Sequence, residues 1–240
     1  MLTPLRLVFD PTGDVLSAAR ECELHVFART YGNTVRELQV EYGPYENETV
    51  FLAVVDANDD VLAVCRLIVP GPAGLKSLKD AGRPPWCVDG VRAARAARID
   101  LSRTWDVATI GVRSDRGAAR LLTAAALYHG IVLAARANRV RSVVMIMDER
   151  ARRLLTAIGV RTSALPGTRA APYLGSPAST PLYLHLAEML DNQRRTNPEG
   201  YRLIGQGIGL DGVSVPEPAA FRLREHSAPS DASPALASNA

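Results

Sequence analysis

Ile110-Gly-Val-Arg-Ser-Asp-Arg-Gly-Ala-Ala-Arg-Leu-Leu122 is the stretch on which the fold turns. An apolar, β-rich run from Trp105 to Val112 enters the polar turn Arg113-Ser-Asp-Arg-Gly117. A long helix leaves it, from Ala118 to Asn138, with Leu121, Leu122, Ala125, Tyr128, Val132 and Ala135 at the spacing of one buried stripe. The first N–H groups of such a helix have no partner within it and lie at the positive end of its dipole. A strand-to-helix turn of this kind is an anion site suited to a pyrophosphate. Gly117 would let a phosphate approach the backbone, and Arg113, Arg116 and Arg120 add charge. The plainer alternative is an ordinary turn with solvated arginines.

Downstream, Arg141 to Met147 reads as a buried strand. Asp148 is placed to cap a short helix through Leu154, Leu155 and Ile158, which Gly159 ends. Strand, helix, strand, helix in this order is a βαβ unit with a parallel strand pair. Leu182 to Leu186 is the last strand expected. Upstream, Asp14 to about Thr30 has helical spacing through Leu16, Ala19, Cys22 (or Glu23) and Val26 with Phe27, with Asp14 as its N-cap. The polar stretch Val35 to Glu48 is expected to be a loop or a short irregular element. Val50–Val55 and Val61–Val69, joined by Asn58-Asp-Asp60, form a hairpin signal. Residues 71 to 104 show no clear period and read as loop and short helix.

The chain has 240 residues, 47% of them hydrophobic, enough for one full core. Twenty-eight basic and 25 acidic residues leave a net charge of only +3, which speaks against a general polyanion binder. No nucleic-acid partner is expected. Three cysteines without a CxxC pair suit buried free thiols and a reducing compartment. Four scattered histidines show no metal spacing. With no signal-like start and no run long enough to span a bilayer, a cytoplasmic location is expected. The first domain is set at 1–195. A C-terminal extension follows over 196–240, rich in Pro, Ser and Ala and expected to be disordered from about 213.

The turn resembles the Q/R-x-x-G-x-G/A segment of GNAT acyltransferases, which holds the pantetheine-pyrophosphate of an acyl donor. Arg113-x-x-Arg116-Gly117-Ala118-Ala119 is a one-glycine version of it, with Ala119 at the second glycine. The order of elements over residues 50 to 160 agrees. The N-terminal half is similar to acyl-homoserine-lactone synthases and long-chain N-acyl amino acid synthases. Arg20 and Phe27 fit their R-x6-F helix. Glu41-Tyr-Gly-Pro-Tyr45-Glu46 matches their E-x-D-x-F/Y-D segment, and Arg66-Leu67-Ile-Val-Pro70 is close to R-L-x-P. Asp106-Val-Ala-Thr109-Ile-Gly-Val112 stands for E-x-S-R-F-x-V. The likeness covers roughly residues 15 to 190.

The resemblance implies an α/β GNAT fold: a central mixed, mostly antiparallel sheet with helices on both faces. It implies an N-acyltransferase with no permanently bound cofactor. An acyl-CoA or an acyl carrier protein thioester would be the co-substrate, and a small-molecule amine the acceptor. Asp106 would take the proton of the attacking amine. Backbone N–H groups near Thr109 to Gly111 would stabilise the oxyanion. Ile110, Gly111, Val112 and Arg113 to Ala119 would hold the donor. Arg20, Phe27, Glu41, Tyr45, Glu46, Arg66 and Trp105 would shape the acceptor side. Gly43 and Thr109 stand where these families carry a carboxylate and an arginine, which points away from S-adenosylmethionine and towards another amine, such as an amino acid.

Each role has a structural alternative. Asp106 could pair with Arg103, and Arg66 and Arg20 with a glutamate. The arginines at 92, 95, 98, 103, 136, 139 and 141 could dock an acidic carrier protein or bind coenzyme A phosphates, or could form a solvated face. A conventional acetyl-CoA-dependent acetyltransferase and a non-catalytic acyl-CoA-binding module are the competing functions.

Overall fold

The computed structural model describes residues 4–113 and 119–224. Strands β1 (Leu5–Phe9), β2 (Thr49–Val55) and β3 (Val61–Ile68) precede the central strand β4 (Thr104–Val112). Then come β5 (Ser142–Asp148), β6 (Ser163–Ala164), β7 (Ala171–Tyr173), β8 (Ser176–His185) and β9 (Val213–Ser214). Among the described residues they form one sheet in the order β6-β8-β5-β4-β3-β2-β1-β9, with β7 against β8. Parallel pairing joins β4 to β5 and β1 to β9; the other pairs are antiparallel.

Helix α1 (Gly13–Tyr31) covers one face of the sheet, together with α2 (Val35–Tyr42), α3 (Lys76–Ala81) and α4 (Gly90–Ala96). The long helix α5 (Ala119–Ala137) covers the other. Helices α6 (Glu149–Ala157) and α7 (Leu186–Thr196) follow β5 and β8. The α5 face buries the largest apolar cluster, including Leu7, Leu52, Leu67, Trp105, Leu127 and Leu182. This is the mixed, mostly antiparallel GNAT acyltransferase fold, with helices on both faces.

Several expectations are corrected. Val35 to Glu48 is helical, not a loop: α2 runs directly into a tight helical turn, Gly43–Glu48. Its start is a capping box, with the Thr34 hydroxyl accepting from the Glu37 N–H and the Glu37 carboxylate accepting from the Thr34 N–H. Helix α1 starts one residue early, at Gly13, so Asp14 lies in its first turn and is not its N-cap. Leu121 is exposed and outside the α5 stripe. Strand β8 is longer than expected and is not the last.

The chain from 213 to 224 is ordered. Strand β9 lies beside β1, and Phe221 is fully buried against the Phe9 ring. Asn138 ties this segment down, donating to the Phe221 carbonyl and accepting from the Leu223 N–H. Before it, the Ile204 carbonyl meets His129 Nδ1 at 2.8 Å, and the Gly205 carbonyl accepts from Arg136 at 2.9 Å. Helix α5 is apolar on more than one side, so a second layer must cover what the sheet leaves open. Composition gave no sign of this, because a few anchors hold the segment.

Candidate active site

Strands β4 and β5 pair only through Thr104–Ser142, Trp105–Val143 and Asp106–Val144, and then part. On its other side β4 stays paired with β3 to Val112, with an irregularity that leaves Ala108 without an opposite residue. The bulge reverses the strand's facing. Trp105 and Val107 lie in the α5-face core, and so do Ile110 and Val112 beyond the bulge. Asp106 and Thr109 face the other way.

The parting of the strands opens a gap with a cavity on each side. One, of about 60 Å³, is wholly apolar and lined by Tyr128, Val143, Met145, Leu184 and Met189, among others. The other, of about 90 Å³, is lined by Phe27, Tyr31, Tyr42, Tyr173 and Asp148 with smaller residues. Val107, Ile110 and Met147 line both, so the two cavities lie against the same three residues.

The Arg113 N–H donates to the Leu62 carbonyl, which fixes the alternation of the β3–β4 ladder. Backbone groups of Gly111 and Thr109 then face β3, and those of Ile110 and Val112 face the gap. The oxyanion donor expected near Thr109 to Gly111 therefore narrows to Ile110. Thr109 contributes its side chain elsewhere: its hydroxyl donates to Glu23 at 2.5 Å.

Glu23 is the centre of a buried ion network that the sequence reading missed. Arg66 grips it with two nitrogens, at 3.0 and 2.7 Å, and reaches Glu46 at 2.9 Å. Arg20 closes on the same Glu46 at 2.7 Å. The Arg66 guanidinium also lies 4.8 Å from the Tyr42 ring centre and 4.6 Å from that of Phe51. Burial alone would lower the Arg66 pKa, but the two glutamates raise it, so the cation is held.

A second network surrounds Lys76, which is buried. Its ammonium donates to Glu41 at 2.7 Å, to the Tyr173 hydroxyl at 2.9 Å and to Asp80. Glu41 and Glu46 thus answer internal cations. Tyr45 is buried, with Lys79 5.6 Å from its ring centre. Burial, and next the charge of Asp80, push its hydroxyl up to about 12.

Asp106 is fully buried and does not meet Arg103. Both its oxygens accept from Ser77, from the N–H at 2.6 Å and from the hydroxyl at 2.8 Å. It serves the open first turn of α3 as an anion would. Burial pushes its carboxyl up to about 6, against the lowering effect of Ser77 and Lys76. Trp105 is also corrected: strand alternation puts it in the core, stacked on Phe9 at 6.3 Å, away from these networks. Phe27 does reach the gap, tilted on Tyr31 at 5.5 Å.

Of the donor residues, Ile110, Gly111 and Val112 end β4, Arg113 follows it, and Ala119 begins α5. Arg116, Gly117 and Ala118 lie outside the described residues. Arg136, Arg139 and Arg141 are at the opposite end of α5, about 28 Å along the helix from the turn. A phosphate held at the turn is out of their reach. Among the described residues no cluster of His, Cys, Asp or Glu could hold a metal, and no helix is long and apolar enough to cross a membrane.

No family model and no curated protein matches the chain. Solved structures do. A CoA-dependent acyl-homoserine lactone synthase, BjaI, with SAM and isopentyl-CoA, is 14% identical, with 92% of this chain and 97% of that one covered and a TM-score of 0.58. FeeM, an N-acyl amino acid synthase from uncultured soil microbes, is 10% identical, with 80% and 96% covered and a TM-score of 0.60. The acyl-homoserine lactone synthase LasI is 10% identical, with 77% and 90% covered and a TM-score of 0.53. At such identities the likeness is one of fold. These are the same families that the N-terminal motifs resemble.

Proposed function

We propose that the protein is an N-acyltransferase that moves an acyl group from an acyl-CoA or acyl carrier protein thioester to the amine of a small molecule by direct attack. The observation that carries this reading is the gap between β4 and β5, apolar on one side and aromatic and polar on the other. A thioester lying in it puts its acyl chain among Met145, Leu184 and Met189. Its carbonyl lies beside Ile110, whose N–H is aimed into the gap and stabilises the developing oxyanion. The donor arm follows the open edge of β4 to the turn at Arg113–Ala119, where the start of α5 takes its phosphates. The acceptor enters on the Phe27 side.

Asp106 acts as a positioning residue. Its oxygens hold Ser77 and fix α3 against β4, and it does not itself take the amine proton. Thr109 positions Glu23 in the same sense. Tyr42 points its hydroxyl at the Ala108 carbonyl at 3.5 Å and lines the gap. Burial, and next the charge of Glu23, raise its pKa well above the usual tyrosine value, so it stays protonated and can donate a hydrogen bond to the departing thiolate; the proton that the amine nitrogen sheds as the amide forms passes to that sulfur, which leaves as the thiol. The acyl cavity, of about 60 Å³, favours a short or branched chain, because roughly 10–15 Å³ of such space holds one water, so only a few heavy atoms fit without repacking. The same observation favours acetyl-CoA as a second reading, although three methionines in the wall can repack around a longer chain.

The test is thiol release from acetyl-, isopentyl-, octanoyl- and palmitoyl-CoA and from matching carrier protein thioesters, with pooled amines and mass analysis of products. Acceptor-dependent release from the branched or longer donors is expected. Release from acetyl-CoA alone moves the assignment to the acetyltransferase. Donor binding without turnover leaves a non-catalytic acyl-CoA module.

A further inference from the structure

The cavity on the α1 side of the gap has an unusual wall. Phe27, Tyr31, Tyr42 and Tyr173 supply four aromatic rings, and among the described residues Asp148 is the one ionisable acid or base in the wall apart from the tyrosine hydroxyls. Among the described residues no lysine or arginine lines it. Asp148 sits at the end of β5, where it caps α6. One oxygen accepts from the Arg150 N–H at 2.7 Å and the other from the Ser176 hydroxyl at 2.6 Å. The Ala151 N–H adds a third bond, and a carboxylate has about four acceptor sites, so one is left for a ligand. Burial works against the charge, but Ser176 and the first N–H groups of α6 outweigh it and lower the pKa. The carboxylate is therefore ionised at neutral pH and is a counter-ion, not a base. Its field reaches the Tyr31 hydroxyl, whose pKa is raised by burial and next by Asp148. Lys76, which also touches Tyr42 and Tyr173, has its charge matched by Glu41 and Asp80.

Aromatic faces and an ionised carboxylate attract an ammonium group. They disfavour a carboxylate, which would stand beside Asp148; Arg150, whose charge acts on Asp148 and Tyr31, is not among the described residues that line the wall. We propose that this cavity is the acceptor site and that it selects a small organic ammonium with no carboxylate next to the amine, which gives one proton to solvent water before the neutral amine attacks. The inference rests on the acyltransferase reading for the use of the site, but not for the binding itself. It narrows the amino acid-like acceptor expected from the sequence to amines whose carboxylate is missing or masked.

The test is calorimetric titration of the full chain with phenethylammonium and, separately, with phenylalanine, without any donor. Phenethylammonium is expected to bind at least about tenfold more tightly, the size of one lost or repulsive charge contact. Asp148→Asn retains a good N-cap. It is expected to weaken phenethylammonium about tenfold while binding of isopentyl-CoA is unchanged. Tyr31→Ala, which leaves the cap untouched, is expected to weaken it as well. Equal or tighter binding of phenylalanine, binding of neither compound, or indifference to both variants overturns the proposal. Failure of acyl-CoA to bind overturns the acyltransferase reading alone, because the ammonium titration does not use the donor.

Discussion

The two faces of the central sheet solve burial in opposite ways. Towards α5, Leu7, Leu52, Leu67, Trp105 and Leu127 exclude water with apolar surface alone. Towards α1 and α3, the sheet buries Glu23, Arg66, Lys76, Asp80 and Asp106 beneath the helices. Removing part of an apolar cluster costs in proportion to the atoms lost. Removing one member of a buried ion network costs what it takes to leave its partner charged and alone. The contrast also separates tasks around the gap, with an acyl chain assigned to the apolar side and a charged acceptor to the other.

The largest effect expected from breaking the contrast is at Arg66. Arg66→Met strands Glu23 and should cost about 3–5 kcal/mol in urea unfolding. Adding Glu23→Gln should return a good part of it. A double variant no more stable than the single one would mean that packing, not charge, sets the cost.

Asp106 is next, and its effect depends on pH. Its folded pKa of about 6 lies above the unfolded value near 4. The native state therefore holds the proton more tightly, and that stability is complete below about pH 4. It is lost as pH rises through about 6 and is level above. Compared with Asp106→Asn, which does not titrate, wild-type stability should fall by about 3 kcal/mol across that window. A difference that stays flat with pH would show that Asp106 titrates like a solvated carboxyl.

On the apolar side the effects are smaller and bear on selectivity. Met145→Phe should cut turnover of the isopentyl thioester about tenfold and spare acetyl-CoA, at a stability cost within about 3 kcal/mol. Equal loss for both donors would place the acyl chain elsewhere. The smallest change is Phe221→Leu, expected to lower stability by about 1 kcal/mol. Amide exchange should show the loss first along β1 and β9, where the C-terminal segment is anchored.

The hairpin, the central strand, the long helix and the following strand were legible because each has a strong local period. The helix at Val35 was missed because its face is mostly polar, although Thr34-x-x-Glu37 is a capping-box signal in the sequence itself. Arg66 was recognisable as a cation in an apolar strand that needs a partner. Glu41 or Glu46 was foreseen as its partner, and Glu46 is one; Glu23 was not, because it lies on the Cys22 side of an amphipathic helix where one residue of phase decides burial. Lys76 and Asp80 sit in a region without a period, and nothing in their spacing announces a buried cluster.

The sequence by itself determined the order of elements, the strand-turn-helix unit and the kinship in motif to acyl-transferring folds, since these depend on local spacing and residue type. Only the tertiary structure decided which side of β4 each residue serves. A single bulge at Ala108 reverses the alternation, sends Asp106 to Ser77, turns Thr109 to Glu23 and leaves Ile110 facing the gap. A bulge is set by how two strands fit against a third and against the helices above them, and that fit is not written in the spacing of any one strand.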